Sequence, residues 1–293
     1  GESLTEISRS SIAALDELTL MRMKNPLAQA IIEWRYLAKG VLFLGQIREH
    51  ASGAEDGRVH PDYQPLVRTG RMTCKDPNFQ QMPAGKDLGV RAAFVAPPGY
   101  KLWLMDFDQL QLRLLAMLSG DKTMLDVFKS GGDIHDMTRK AMRIEERRPA
   151  KVINFAGVFG GSEGTVADQM FEAGVAPEIV ARAGEFLAAF NRRYPGVKRT
   201  YWRMKEAAEK DPWVKLPSGR KRRLDHGRER TSMNTAIQMW EADSTKSAFV
   251  KLGPAARNLG GWISGFVHDE FHVVLPESVP EEKVWELVTL CED

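Results

Sequence analysis

The chain has 293 residues, of which 43% are hydrophobic and 27% charged, and its net charge is +2. That length supports a full core and about two domains, and no apolar run approaches the roughly 20 residues of a membrane span. The opening GESLTEISRSSIAALDEL has neither the basic start nor the apolar stretch of a signal peptide, and Cys74 and Cys291 lack disulfide-framework or zinc-ligand spacing. A membrane-spanning chain, a secreted disulfide scaffold and a zinc-stapled module are therefore excluded, and a monomeric cytoplasmic protein is expected.

Residues 1–50 read as helical, with LAQAIIEWRYLAKGVLFL as one apolar, periodic helix broken near Gly40. From 51 to 100, glycine and proline punctuate short segments that read as strands and turns. Within them, TGRMTCKDPNFQQMP sets Arg71, Asn78 and Gln80 after tight turns, as long polar donors of the kind that contact a DNA minor groove. Asparagine and glutamine are also ordinary turn residues, so this stretch stays ambiguous by itself.

KLWLMDF predicts a strand ending at Asp106, followed by a helix DQLQLRLLAMLSG that Asp108 caps and Gly120 ends. Asp106 thus stands at the mouth of a sheet, where it serves either as a metal-binding carboxylate or as a helix-start residue. Residues 121–212 read as mostly helical. In RRPAKVINFAGVFGGSEG, Arg147, Lys151, Phe155 and Phe159 recur every four positions, drifting about 40° per step, so they share one broad helix face. Cations followed by rings suit the phosphates, sugar and base of a nucleotide; the alternative is a solvated end and a core-facing end.

Between Lys215 and Arg230 seven basic residues stand against two acidic ones, a local excess able to track phosphates or to form a solvated loop. A helix is expected around 230–251. Last, GWISGFVHDEFHVVLPE is strand-like apolar sequence interrupted by His268, Asp269 and Glu270. Adjacent carboxylates raise each other's proton affinity, so a cation should sit opposite them. If the Asp106 strand is a neighbour, both aspartates could hold a hard divalent ion.

Taken together, TGR…DPNFQ, DFDQLQLR, DIH, RRxxKxxNFxxxFG, MNTAIQ and VHDE, in this order, resemble the polymerase domain of family A DNA polymerases, over roughly residues 5–293. The resemblance implies an α+β, right-hand fold: a palm (1–118 and 225–293) with an antiparallel sheet, inserted helical fingers (119–224), and a thumb largely absent from this chain, as is any exonuclease domain. It implies template-directed DNA synthesis by two-metal phosphoryl transfer, with Mg2+ at Asp106 and Asp269 and Mn2+ as a substitute. Glu270 would be an auxiliary acid.

The resemblance further implies that Arg147, Lys151 and His135 contact the triphosphate, with Lys151 protonating pyrophosphate. Phe155 would lie beside the sugar, Phe159 near the template base and Gln111 at the sugar gate. Arg71, Asn78, Gln80, Arg230, Asn234, Gln238 and His268 would line primer-template DNA. Gln111 and Phe159 depart from the glutamate and tyrosine usual in the bacterial members, and MRIEERR and LDHGRERT are short connections. A related single-subunit RNA polymerase, an RNA-templated polymerase and a catalytically silent primer-template-binding module are the competing readings.

Overall fold

The computed structural model describes residues 16–23, 25–65, 67–83, 89–158 and 160–292. Helices α1 (Glu17–Arg22) and α2 (Pro26–Gly53) precede a small antiparallel ribbon, β1 (Asp62–Gln64) with β2 (Thr73–Lys75), and a 3-10 turn at Phe79–Gln81. Strand β3 (Tyr100–Asp106) opens the main sheet. A helical run follows: α3 (Leu110–Ser119), α4 (Lys122–Lys129), α5 (Ile134–Ala141), α6 (Arg147–Val158), α7 (Glu163–Glu172), α8 (Pro177–Val180), α9 (Ala183–Arg193) and α10 (Pro195–Lys210). A second ribbon, β4 (Trp213–Lys215) with β5 (Lys221–Arg223), leads to the long α11 (Ser232–Asn258), then β6 (Trp262–Val267), β7 (Glu270–Pro276) and α12 (Glu281–Glu292). No helix among the described residues is long and apolar enough to cross a membrane.

The main sheet is antiparallel with order β3-β7-β6. Its middle strand is paired on both sides, and Phe271, Val273, Val274 and Leu275 are accordingly buried, the apolar run that the sequence displays. Below it, Leu252 and Ala256 of α11 and Val284 and Leu287 of α12 complete one core. A second core fills the helical part, with Leu112, Leu115, Ile153, Phe186 and Phe190 at its centre, and Phe107 packs against both. Helix α6 lies close on α9: a Cβ added at Gly157 would stand 2.3 Å from the Phe190 ring, so only glycine fits there.

Two expectations change. Helix α2 runs unbroken through the buried Gly40; an interior glycine costs only about 1 kcal/mol, less than a broken helix would forfeit in backbone hydrogen bonds. Asp108 does not cap α3. Gln109, with φ +53°, holds the cap position, and Asp108 instead accepts from Arg113 Nη2 at 2.9 Å while Arg113 Nε donates to the Asp108 carbonyl at 2.8 Å. Gly120 does end α3, in the left-handed conformation.

Asp121 ties the helical part together. Buried, it caps α4 by accepting from Met124 N at 3.2 Å and reaches across to accept from Gly196 N, at the start of α10, at 2.8 Å. Asp121→Ala strands both amides and is expected to cost about 2–4 kcal/mol. A lower denaturant midpoint at unchanged slope would report this, and an unaltered midpoint would show that water replaces the carboxylate.

Candidate active site

Strands β6 and β7 are joined by a two-residue turn, His268–Asp269, closed by the Val267↔Glu270 pair. The acidic interruption of the sequence is thus a hairpin tip, His268 and Asp269 forming the turn and Glu270 opening β7. His268 takes φ +60°, the positive angle that tight hairpin turns require at their first position. In the other direction Glu270 is paired with Asp106, the last residue of β3. Antiparallel register therefore delivers Asp106, Asp269 and Glu270 to one end of the sheet, although 163 residues separate the two aspartates in sequence. Glu270 Oε1 shares a 2.7 Å hydrogen bond with His272 Nε2.

The cost of this convergence is visible in the acidities. Burial first, then the charges of Asp269, Glu270 and Asp108, raise the Asp106 carboxyl above its ordinary range against the pull of Lys151. Burial and Glu241 raise Asp269 likewise, against His268 and Arg71. The protein's own cations thus do not offset burial and the neighbouring charges. Carboxylate oxygens in such a setting would suit a hard divalent cation, and Asp106 and Asp269 would be the residues to hold it; among the described residues no group of three or more His, Cys, Asp or Glu side chains that could hold a metal is assembled.

Helix α6 supplies the opposite wall. As the four-residue spacing predicts, Arg147, Lys151 and Phe155 face the same cleft, whose volume is about 480 Å³; the fourth member, Phe159, lies outside the described residues. The Lys151 ammonium sits 5.9 Å from the Phe155 ring centroid. Arg147 pairs with Asp133, the residue that caps α5. Burial pushes the Asp133 carboxyl up, but hydrogen bonds from Arg147 and from the amides of Asp136 and His135 outweigh it and hold the group low.

His135 completes that wall. It is buried with its ring 5.8 Å from Phe155, and burial, then Arg147, push its pKa down to about 4. It is therefore neutral at pH 7. Thr138 donates to Asn154 Oδ1 at 2.8 Å, and Asn154 Nδ2 donates to His135 Nδ1 at 2.9 Å, which leaves the proton on Nε2. The site thus holds a neutral hydrogen-bond donor beside the Arg147 and Lys151 side chains.

The floor contains a residue that sequence reasoning missed. Glu241 of α11 is buried and accepts from Arg71 Nε at 2.9 Å and from Gln111 Nε2 at 3.3 Å. Its signal was present: it lies three residues past Gln238 and seven past Asn234, on the same helix face. Arg71 is delivered by the Thr69–Arg71 loop, itself pinned by Arg220, which donates to the Thr69 carbonyl at 2.7 Å and pairs with Asp243. Gly70, at φ +85°, has no alternative, because a Cβ would fall 1.6 Å from the Arg220 guanidinium.

The residues expected to line DNA are only partly gathered. Arg71 and His268 reach the cleft. Asn234 and Gln238 lie on α11 and bond each other at 2.8 Å, and the exposed Arg230 stands in the turn before α11. Asn78 and Gln80 are not among the cleft-lining residues. Asn78 accepts from Gln80 N, and the Gln80 amide donates to the Met72 carbonyl at 3.1 Å, so both stabilise the turn.

Acids on a sheet end thus face a cationic helix across a cleft within the range of about 300–1,000 Å³ of small-molecule sites. The comparisons specify it further. Residues 4–291 match the family model for DNA polymerase family A, and the chain belongs to that family. It is 33% identical over 261 residues to a DNA polymerase of Mycobacterium phage D29, covering 86% of this chain and 41% of that one. It is 30% identical to the thermostable DNA polymerase I of Thermus thermophilus, covering 94% and 34%, and 33% identical to DNA polymerase I of Lactococcus lactis, covering 92% and 33%. The chain thus spans a third to two fifths of the length of these relatives. Among solved structures, the polymerase domain of Pol1 from M. smegmatis, in complex with DNA primer-template and dNTP, matches with a TM-score of 0.80 and 25% identity over 94% of this chain and 52% of that one.

Proposed function

We propose that this chain is the catalytic core of a template-directed DNA polymerase. The observation that carries the reading is the placement of Asp106 and Asp269 across one cleft from Arg147, Lys151 and Phe155. In it, the sheet with α11 and α12 acts as the palm, bounded as 1–118 and 225–293, and the helices within 119–224 act as the fingers. Its partners are primer-template DNA and deoxynucleoside triphosphates, as for the mycobacterial neighbour. The bacterial and phage relatives support a setting inside a bacterium or an infected cell.

The primer 3′-hydroxyl attacks the α-phosphate of a bound deoxynucleoside triphosphate, and pyrophosphate leaves. Arg147 and Lys151 hold the triphosphate, and neutral His135 donates through Nε2 to a phosphate oxygen. Lys151 also supplies a proton to the leaving pyrophosphate. Asp106 and Asp269 would hold divalent metal, with Glu270 assisting; two magnesium ions, or manganese in their place, would supply charge neutralisation at the transferring phosphoryl and lower the pKa of the attacking hydroxyl. Phe155 packs against the sugar and Gln111 occupies the space beside its 2′ position. Arg71, His268, Asn234, Gln238 and Arg230 follow the duplex.

Extension of a labelled primer on a DNA template tests the reading, with deoxynucleotides or ribonucleotides and with or without magnesium. Metal-dependent extension with deoxynucleotides strongly preferred is expected, since Gln111 fills about the same volume as glutamate. Binding of primer-template without extension under any condition would reject it. Phe155→Tyr adds a hydroxyl where a dideoxynucleotide lacks one, and is expected to improve chain-terminator use by about tenfold, the worth of one charge-assisted hydrogen bond; equal termination by both proteins would remove Phe155 from the sugar.

A further inference from the structure

A carboxylate buried on the floor of the cleft has no part in the scheme above. Glu241 has only 3% of its side chain exposed, and its helix neighbours Met239 and Ala242 are buried. A buried charge is tolerated only with partners, and Glu241 has two, from elements distant in sequence. Arg71 approaches from a loop 170 residues earlier, and Gln111 projects from α3. Arg71 and Gln111 both border the space beside Asp106 and Phe155.

The chemistry of the pair is directional. A carboxylate only accepts, so the amide of Gln111 must present Nε2 to it, and does, at 3.3 and 3.4 Å from the two oxygens. The contacts are long, but they are charge-assisted. The opposite atom, Gln111 Oε1, is buried without a partner, so nothing else among the described residues fixes which way this amide points. A glutamine that can rotate yields to an extra hydroxyl; one that is held excludes it.

We propose that Glu241 is a specificity-determining positioning residue: it holds Gln111 and Arg71 as one unit under the nucleotide sugar and so sets how strongly the enzyme rejects a ribose 2′-hydroxyl. The inference rests on the polymerase reading and adds to it a residue outside the reacting groups.

The test is single-nucleotide insertion of dATP and of ATP by the full chain on a primer-template. It compares wild type, Glu241→Gln, Glu241→Ala, Gln111→Ala and the Gln111→Ala/Glu241→Ala double variant. Selectivity, the ratio of kcat/KM for dATP to that for ATP, is expected to fall about tenfold in Glu241→Ala, the loss of a hydrogen bond to a charged group. It is expected to fall about threefold in Glu241→Gln, whose amide both donates and accepts and so no longer dictates the orientation of Gln111. In the Gln111→Ala background, Glu241→Ala should change selectivity by less than about twofold, because positioning acts through Gln111.

Proportional loss of both kcat/KM values with unchanged selectivity would overturn the inference, as would an equal selectivity change with and without Gln111. Should Glu241→Ala fail to fold, the near-isosteric Glu241→Gln decides alone, and unaltered selectivity there rejects the role. A wild-type chain that inserts no dATP at all rejects the polymerase reading itself.

Discussion

Asp269→Ala is expected to abolish primer extension, lowering kcat by about 10³-fold or more, while primer-template binding persists. The expectation follows from position. Asp269 is held at a two-residue hairpin tip by the register of β6 on β7, and the neighbouring pairing brings Asp106 to the same end. A lone remaining aspartate cannot replace a ligand on a different strand. The fold should not suffer, because burial and Glu241 already disfavour the Asp269 charge. A group whose folded-state pKa is raised destabilises the native state once ionised, so the neutral Asp269→Asn is expected to leave Tm unchanged or higher at pH 7. Thermal melts beside extension assays separate the effects: full extension by Asp269→Ala would remove it from the chemistry, and a collapsed Tm would make its role structural.

The second large effect is expected at the opposite wall. Lys151→Ala should lower kcat by about 10²- to 10³-fold, the range for loss of a positioned proton donor together with a charge that stabilises the leaving group. Lys151→Arg keeps the charge but holds its proton too firmly to donate, and is expected to restore nucleotide KM more than kcat. Single-turnover incorporation over a range of nucleotide concentrations makes the separation. A change confined to KM in Lys151→Ala would reduce the lysine to a binding contact.

What could be read without coordinates was what is encoded locally. The α6 face is one helix, so 3.6-residue geometry alone brought Arg147, Lys151 and Phe155 together. Asp106 was legible because its strand ends where a helix begins, and the hairpin acids because charges disrupt an apolar run. The misreadings share a cause in competition between contacts. Asp108 has the composition of a cap, but Arg113, whose guanidinium lies 4.7 Å from the Phe128 ring, takes its carboxylate and carbonyl instead. Asn78 and Gln80 resemble groove donors, and Asn78 Oδ1 and Gln80 Nε2 also bond within their own turn, which the sequence pattern does not show. Glu241 escaped notice because its helix spacing from Asn234 and Gln238 marks only the face it shares, whereas its meaning depends on Arg71, 170 residues earlier. The exposure of Trp34, Val41 and Leu42 on α2 was equally invisible to an apolar periodicity that shows which residues share a face but not what covers it.

Phe107 has a mechanical consequence. It follows Asp106 directly, and its ring is seated in both hydrophobic cores, 6.2 Å from Phe271 on the sheet side. One side chain thus ties the two cores together, with the acid mounted beside it. A change at Phe107 is therefore felt in both cores at once and in the backbone that carries Asp106.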